Sequence, residues 1–146
     1  MTTSGEQLNN KLKNVPGFIG VYSSDNLPNP ALFNYSFIVN YDGEDKPGSH
    51  WVGFKSTNGK LKYFDSFGNP PDEDDLILHD KTHFKNWLYE RDRKYEFNQF
   101  DYQSLNQNTC GEWSAMFIKS PQQLNRARLI PKHVRDAFVK QWFASI

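Results

Sequence analysis

Asn58-Gly59 is the feature that most narrows what this chain folds into. Both residue types tolerate positive φ. The pair sits between two runs rich in aromatic and β-branched residues, 50–55 and 61–67, which is the pattern of a two-residue β-hairpin. With the turn placed there, counting outward sets Val52 opposite Asp65 and His50 opposite Phe67. Residues 50, 52, 65 and 67 then share one face, and Ser49 and Ser66 point to the other. His50 and Asp65 become diagonal neighbours with Cα atoms roughly 7–8 Å apart, within reach for a ring N–H to donate to a carboxylate.

A carboxylate in that position fixes the tautomer of an imidazole and stabilises it once it takes a proton, the part played by the acid in a nucleophile–base–acid triad. The one cysteine of the chain, Cys110, opens an apolar stretch that reads as a helix over 110–119, with Trp113, Met116 and Phe117 on one side. A thiol at a helix N-terminus beside a histidine is the setting in which reactive thiolates form. The N–H of Cys110, at the open end of that helix, is a natural donor to an oxyanion, and a side-chain amide suits as a second.

The remaining pattern surrounds this core. Residues 1–14 are polar and suit a short helix or a loose arm, and the apolar body starts at Val15. A strand is expected over 33–39, followed by a solvated loop at 42–48. A helix is expected from the acidic run 72–75 toward Glu90, with acids in its first turn. A further strand is expected over 95–102. Pro121 is expected to end the Cys110 helix, and Pro131 to precede a last amphipathic helix with Val134, Phe138 and Trp142, joined by Ala137 and Val139, on its inner face.

At 146 residues the whole chain, 1–146, fits one domain. Lysine plus arginine and aspartate plus glutamate stand at 17 each, so no net field draws the molecule to nucleic acid or an acidic membrane surface. One cysteine allows no intramolecular disulfide, which suits a reducing, intracellular compartment. No run approaches the ~20 apolar residues needed to cross a bilayer as a helix.

Three segments together resemble a known family: Gly48-Ser49-His50-Trp51, Phe64-Asp65-Ser66-Phe67-Gly68, and Gln103 followed six residues later by Cys110-Gly111. The ordered set is similar to adenain, the adenovirus maturation protease family. It also resembles, more distantly, the proteases specific for SUMO and other ubiquitin-like proteins. The resemblance runs from about Pro16 through the Cys110 helix. It implies an α+β fold with a mixed, mainly antiparallel central sheet flanked by helices. It makes His50 the base, Asp65 its orienting acid, Cys110 the nucleophile and Gln103 the side-chain donor of the oxyanion hole, with Trp51 lining the cleft as a substrate contact. The implied activity is that of a cysteine endopeptidase cutting viral capsid precursors next to small residues such as glycine, in infected-cell compartments or packaged in a virion.

Two departures bear on activation. Family members from mammalian adenoviruses carry glutamate at the acid position and a further cysteine that binds an activating peptide through a disulfide, whereas this chain has Asp65 and no second cysteine. A disulfide-linked peptide activator is therefore not expected. DNA-assisted activation is poorly supported by the neutral charge, and the compactness suits a virophage or another small virus or element. The chain reads as a monomer acting on polypeptides.

Alternatives remain within the same site: a deconjugating protease for a ubiquitin-like modifier, or an acetyltransferase of the same clan. Outside catalysis, the alternative is an inactive capsid- or DNA-binding module. No cofactor is called for. His79 and His83 stand four apart, the spacing of a zinc pair, but no third ligand completes a site. The 72–75 acidic run lacks the glycine and late glutamate of a calcium loop.

Overall fold

A computed structural model describes residues 3–41, 50–73, 81–91 and 94–146. The fold is α+β. A five-stranded mixed sheet has the spatial order of its sequence: β1 (Phe18–Ser23), β2 (Tyr35–Asn40), β3 (Trp51–Thr57), β4 (Lys60–Phe64) and β5 (Tyr95–Phe97). The central pairs β2–β3 and β3–β4 are antiparallel, and the outer pairs β1–β2 and β4–β5 are parallel.

The hairpin forms as its turn chemistry requires. Asn58 has φ 51° and Gly59 φ 80°, both in the left-handed region, and Thr57 pairs with Lys60. That register runs unbroken to Gly53 opposite Phe64, as counted from the turn. Asn34 Oδ1 accepts from Asn58 N–H at 2.7 Å, so the segment before β2 wraps the turn. This draws Phe33 away from the strand, which starts at Tyr35 instead of residue 33, and Phe33 stays exposed.

The two faces of the sheet bury separate clusters. Val52, Phe54, Tyr63 and Phe37 pack with Phe84 and Trp87 of α2 (Thr82–Glu90). The other face carries Ile38, Trp51 and Phe64 against α1 (Gly5–Leu12), α3 (Cys110–Lys119), α4 (Pro121–Ala127) and α5 (Lys132–Ser145). Burial on both faces explains why all six residues of β2 are buried. Gly53 lets α3 lie close on β3, because a Cβ there would come within 3.1 Å of the Phe117 ring.

Several expectations need correction. Asp72 and Glu73 lie in a turn and α2 starts at Thr82 without an acid in its first turn, while 74–80 and the loop 42–48 fall outside the described residues. The strand expected over 95–102 is only Tyr95–Phe97, because the side chain of Asn98 turns to bond the backbone of Asp65. Helix α3 is buried from Cys110 to Ile118, so it has no outer face. Pro121 ends α3 and also starts α4, where its missing N–H is harmless. On α5, Val134 and Ala137 are exposed, while Arg135 and Asp136 join Val139 inside because each finds polar partners there.

Candidate active site

The site forms where the β3–β4 ladder runs out. Tyr41 N–H donates to His50 O at 3.1 Å, extending the β2–β3 pairing by one step and holding the histidine backbone. Asp65 is the first residue past β4. Its N–H donates to Asn98 Oδ1 at 3.0 Å, and its carbonyl accepts from Asn98 Nδ2 at 2.6 Å. A turn follows, closed by Gly68 N–H donating to Asp65 O at 2.8 Å, with Gly68 at φ +82°. A Cβ on Gly68 would meet Gln99 O at 3.0 Å, which explains the glycine.

His50 Nε2 lies 2.7 Å from Asp65 Oδ1, with the two side chains 5% and 0% exposed. Oδ1 also accepts from Phe67 N–H at 3.0 Å. The imidazole is stacked between Tyr41 (centroids 5.2 Å, planes 13° apart) and Phe67 (5.3 Å, 20°). Phe67 is therefore the partner that the register predicts. Burial alone pulls the His50 pKa down. The hydrogen bonds the ring donates to Asp65 and to Cys110, with their coulombic pull, outweigh it and push the value up to about 10.

Cys110 reaches the same ring from the N-terminus of α3. Its sulfur accepts from Trp51 N–H at 3.4 Å and is 2% exposed. Nε2 being taken by Asp65, Nδ1 is the ring nitrogen left for the thiol. Gly111 follows Cys110 for a steric reason: a Cβ would come within 3.2 Å of Trp51 Cδ1 and 3.3 Å of Thr3 Cβ.

Gln103 is tied to the turn that follows Asp65. Its Nε2 donates to Gln107 O at 2.7 Å, and its Oε1 accepts from Ser66 Oγ at 2.6 Å. An amide nitrogen has two hydrogens, so one remains for a ligand. Ser66 was expected to point away from the site. It is fully buried instead, and its carbonyl also accepts from the N–H groups of Tyr102 and Gln103. The turn after β4 redirects it, since strand alternation no longer applies there.

Trp51 lies beside the thiol with 7% exposure, its indole N–H donating to Thr3 O at 2.8 Å. Thr3 Oγ1 donates to Glu112 Oε1, so the segment leading into α1 covers Trp51 and the first turn of α3. His83 is exposed on α2, and His79 lies outside the described residues. Among the described residues no group of three or more His, Cys, Asp or Glu is gathered as a metal site, and no helix is long and apolar enough to cross a membrane.

No protein-family model and no curated protein matches the chain. Among solved structures, the chain is similar to the ASFV pS273R protease, with TM-score 0.48 and 13% identity over 92% of this chain and 61% of that one. A selenomethionine crystal structure of the same protease aligns with TM-score 0.34 and 20% identity, over 71% of this chain and 38% of that one. The chain thus spans less than two thirds of that protease's length.

The sequence pattern and the resemblance together pointed to His50, Asp65, Gln103, Cys110 and Trp51: the His50 ring meets Asp65 and Cys110, Trp51 N–H meets the Cys110 sulfur, and Gln103 bonds Ser66, the residue after Asp65. It missed Asn98, Ser66, Tyr41 and Asp136, which hold those groups. For Ser66 a signal existed in its place next to Asp65. The others are brought in by chain segments whose course the local pattern does not encode.

Proposed function

We propose that the chain is a cysteine endopeptidase. The observation that carries this reading is the shared imidazole: Asp65 bonds one side of the His50 ring and Cys110 the other, at the N-terminus of a helix. The raised His50 pKa favours an imidazolium beside the sulfur, a ring able to hand a proton to a leaving group.

In the proposed cycle the Cys110 sulfur attacks a peptide carbonyl, and the carbonyl electrons move onto oxygen. The second Gln103 Nε2 hydrogen and the Cys110 N–H receive that oxyanion. Thr109 offers no side-chain cap to α3, which leaves the opening N–H groups of the helix to this task. His50 gives its proton to the leaving amine, then takes one from water, which hydrolyses the thioester. Asp65 keeps the ring oriented throughout.

The finer reading follows the sequence resemblance: the substrates are viral structural precursors cut beside small residues. The crowding of Trp51 and Thr3 on Gly111, next to Cys110 in the chain, favours a slim, glycine-like substrate over a bulky one.

The test is digestion of a peptide library by the wild type and by Cys110→Ala, with new termini read by mass spectrometry. Cleavage by the wild type alone, beside small residues, is expected. A folded wild type that cuts neither peptides nor modifier-linked isopeptides would overturn the reading.

A further inference from the structure

Asp136 lies on α5, and is 6% exposed. Three donors from the segment carrying Gln103 and Cys110 converge on its carboxylate. Ser104 N–H reaches Oδ2 at 3.2 Å, Thr109 Oγ1 reaches Oδ1 at 2.5 Å, and Trp113 Nε1 reaches Oδ1 at 3.3 Å. Ser104 directly follows Gln103, and Thr109 directly precedes Cys110. One carboxylate therefore grips both ends of the loop between the oxyanion donor and the nucleophile.

A buried carboxylate is costly unless donors surround it, so this arrangement is strongly directional. Threonine at a helix N-cap ordinarily accepts from the second or third N–H of the helix. Thr109 makes no such bond, and its hydroxyl is turned toward Asp136, to which it donates. The anchor itself is firm: the neighbouring Arg135 Nε donates to Ala127 O at 3.0 Å and to Ile130 O at 2.9 Å, tying α5 to α4 and the turn after it.

We infer that Asp136 is a positioning residue that sets the spacing between the Gln103 amide and Cys110. This rests on the protease reading above. Asp136 touches no substrate and takes no proton in the cycle. It acts by holding the two groups that must meet one oxyanion, and that demand is sharper in the transition state than in the bound substrate.

The experiment compares wild type, Asp136→Asn, Thr109→Val and Thr109→Ser. Each is measured for peptide hydrolysis, for Cys110 alkylation by iodoacetamide, and for amide hydrogen exchange over 104–110. Asp136→Asn and Thr109→Val are expected to lower kcat about tenfold or more with KM within about twofold, a fraction of the ~10²–10³ lost when an oxyanion donor is removed. Alkylation, which needs no oxyanion donor, is expected to stay within about threefold, and exchange over 104–110 to quicken. Thr109→Ser keeps the hydroxyl and is expected to restore kcat. Thr109→Val also guards against Asp136→Asn failing to fold.

Unchanged exchange in both variants would overturn the tether whatever the activity. Faster exchange with unchanged kcat would overturn the positioning role. An inert wild type whose exchange still responds to Asp136→Asn would overturn the protease reading while upholding the tether.

Discussion

His50 Nε2 and Asp65 Oδ1 meet at 2.7 Å just past the end of the hairpin ladder that aligns them. The ladder sets their register, and Asn98 and Tyr41 fix the two backbones where strand pairing stops. The pair is thus placed by the sheet without being constrained by it.

This pair makes stability depend on pH. The folded His50 pKa is raised from 6.5 to about 10, so the stabilisation is fully present below pH 6.5 and is lost as pH rises toward 10. Urea midpoints measured from pH 6 to 9.5 are expected to fall steadily in the wild type. His50→Gln is expected to flatten that slope, and a slope equal to wild type would contradict it.

Ser66→Ala removes the hydroxyl that orients Gln103 Oε1. A hydrogen bond of about 1 kcal/mol corresponds to roughly fivefold in rate, so kcat is expected to drop five- to tenfold with KM little changed. Steady-state kinetics on any cleaved peptide check this, and a change confined to KM would refute the orienting role.

Gly68→Ala forces a side chain into the left-handed region and against Gln99 O. The expected loss is about 2 kcal/mol of stability, read by chemical denaturation. Activity should fall with it, because the same turn carries Asp65 into place. A neutral effect would mean the turn relaxes freely.

Much of this site was legible in the sequence because its parts are local. The Asn58-Gly59 turn sets the register, and the register places His50, Asp65 and Phe67 together. Cys110 was legible because an apolar helix opens on it. Gln103 came from family resemblance alone, since nothing in its neighbours Gln99 and Gln107 marks it out. Asp136 was hidden because apolar periodicity reads a charged residue as solvent-facing. Only its three donors, brought from more than twenty residues away along the chain, make its burial favourable. The length of β5 was misjudged for a similar reason, because Asn98 looks like a strand residue until its amide is seen bracketing Asp65.

Trp51→Phe keeps the ring packing and loses the N–H bond to Thr3 O. One lost bond of about 1 kcal/mol is expected to raise the fraction of open site, and with it the iodoacetamide labelling rate of Cys110, about fivefold. Labelling at the wild-type rate would show that Thr3 does not control access to the thiol.

The charge state of His50 tests the triad most directly. Nitrogen chemical shifts of 15N-histidine protein, followed from pH 5 to 11 and assigned with His50→Gln, report both ring nitrogens of His50. The expected result is a doubly protonated ring at pH 8 that titrates near 10, with the midpoint lowered in Cys110→Ala and in Asp65→Asn. A ring that is neutral at pH 8 and titrates near its ordinary 6.5 would contradict a charged Cys110–His50–Asp65 assembly.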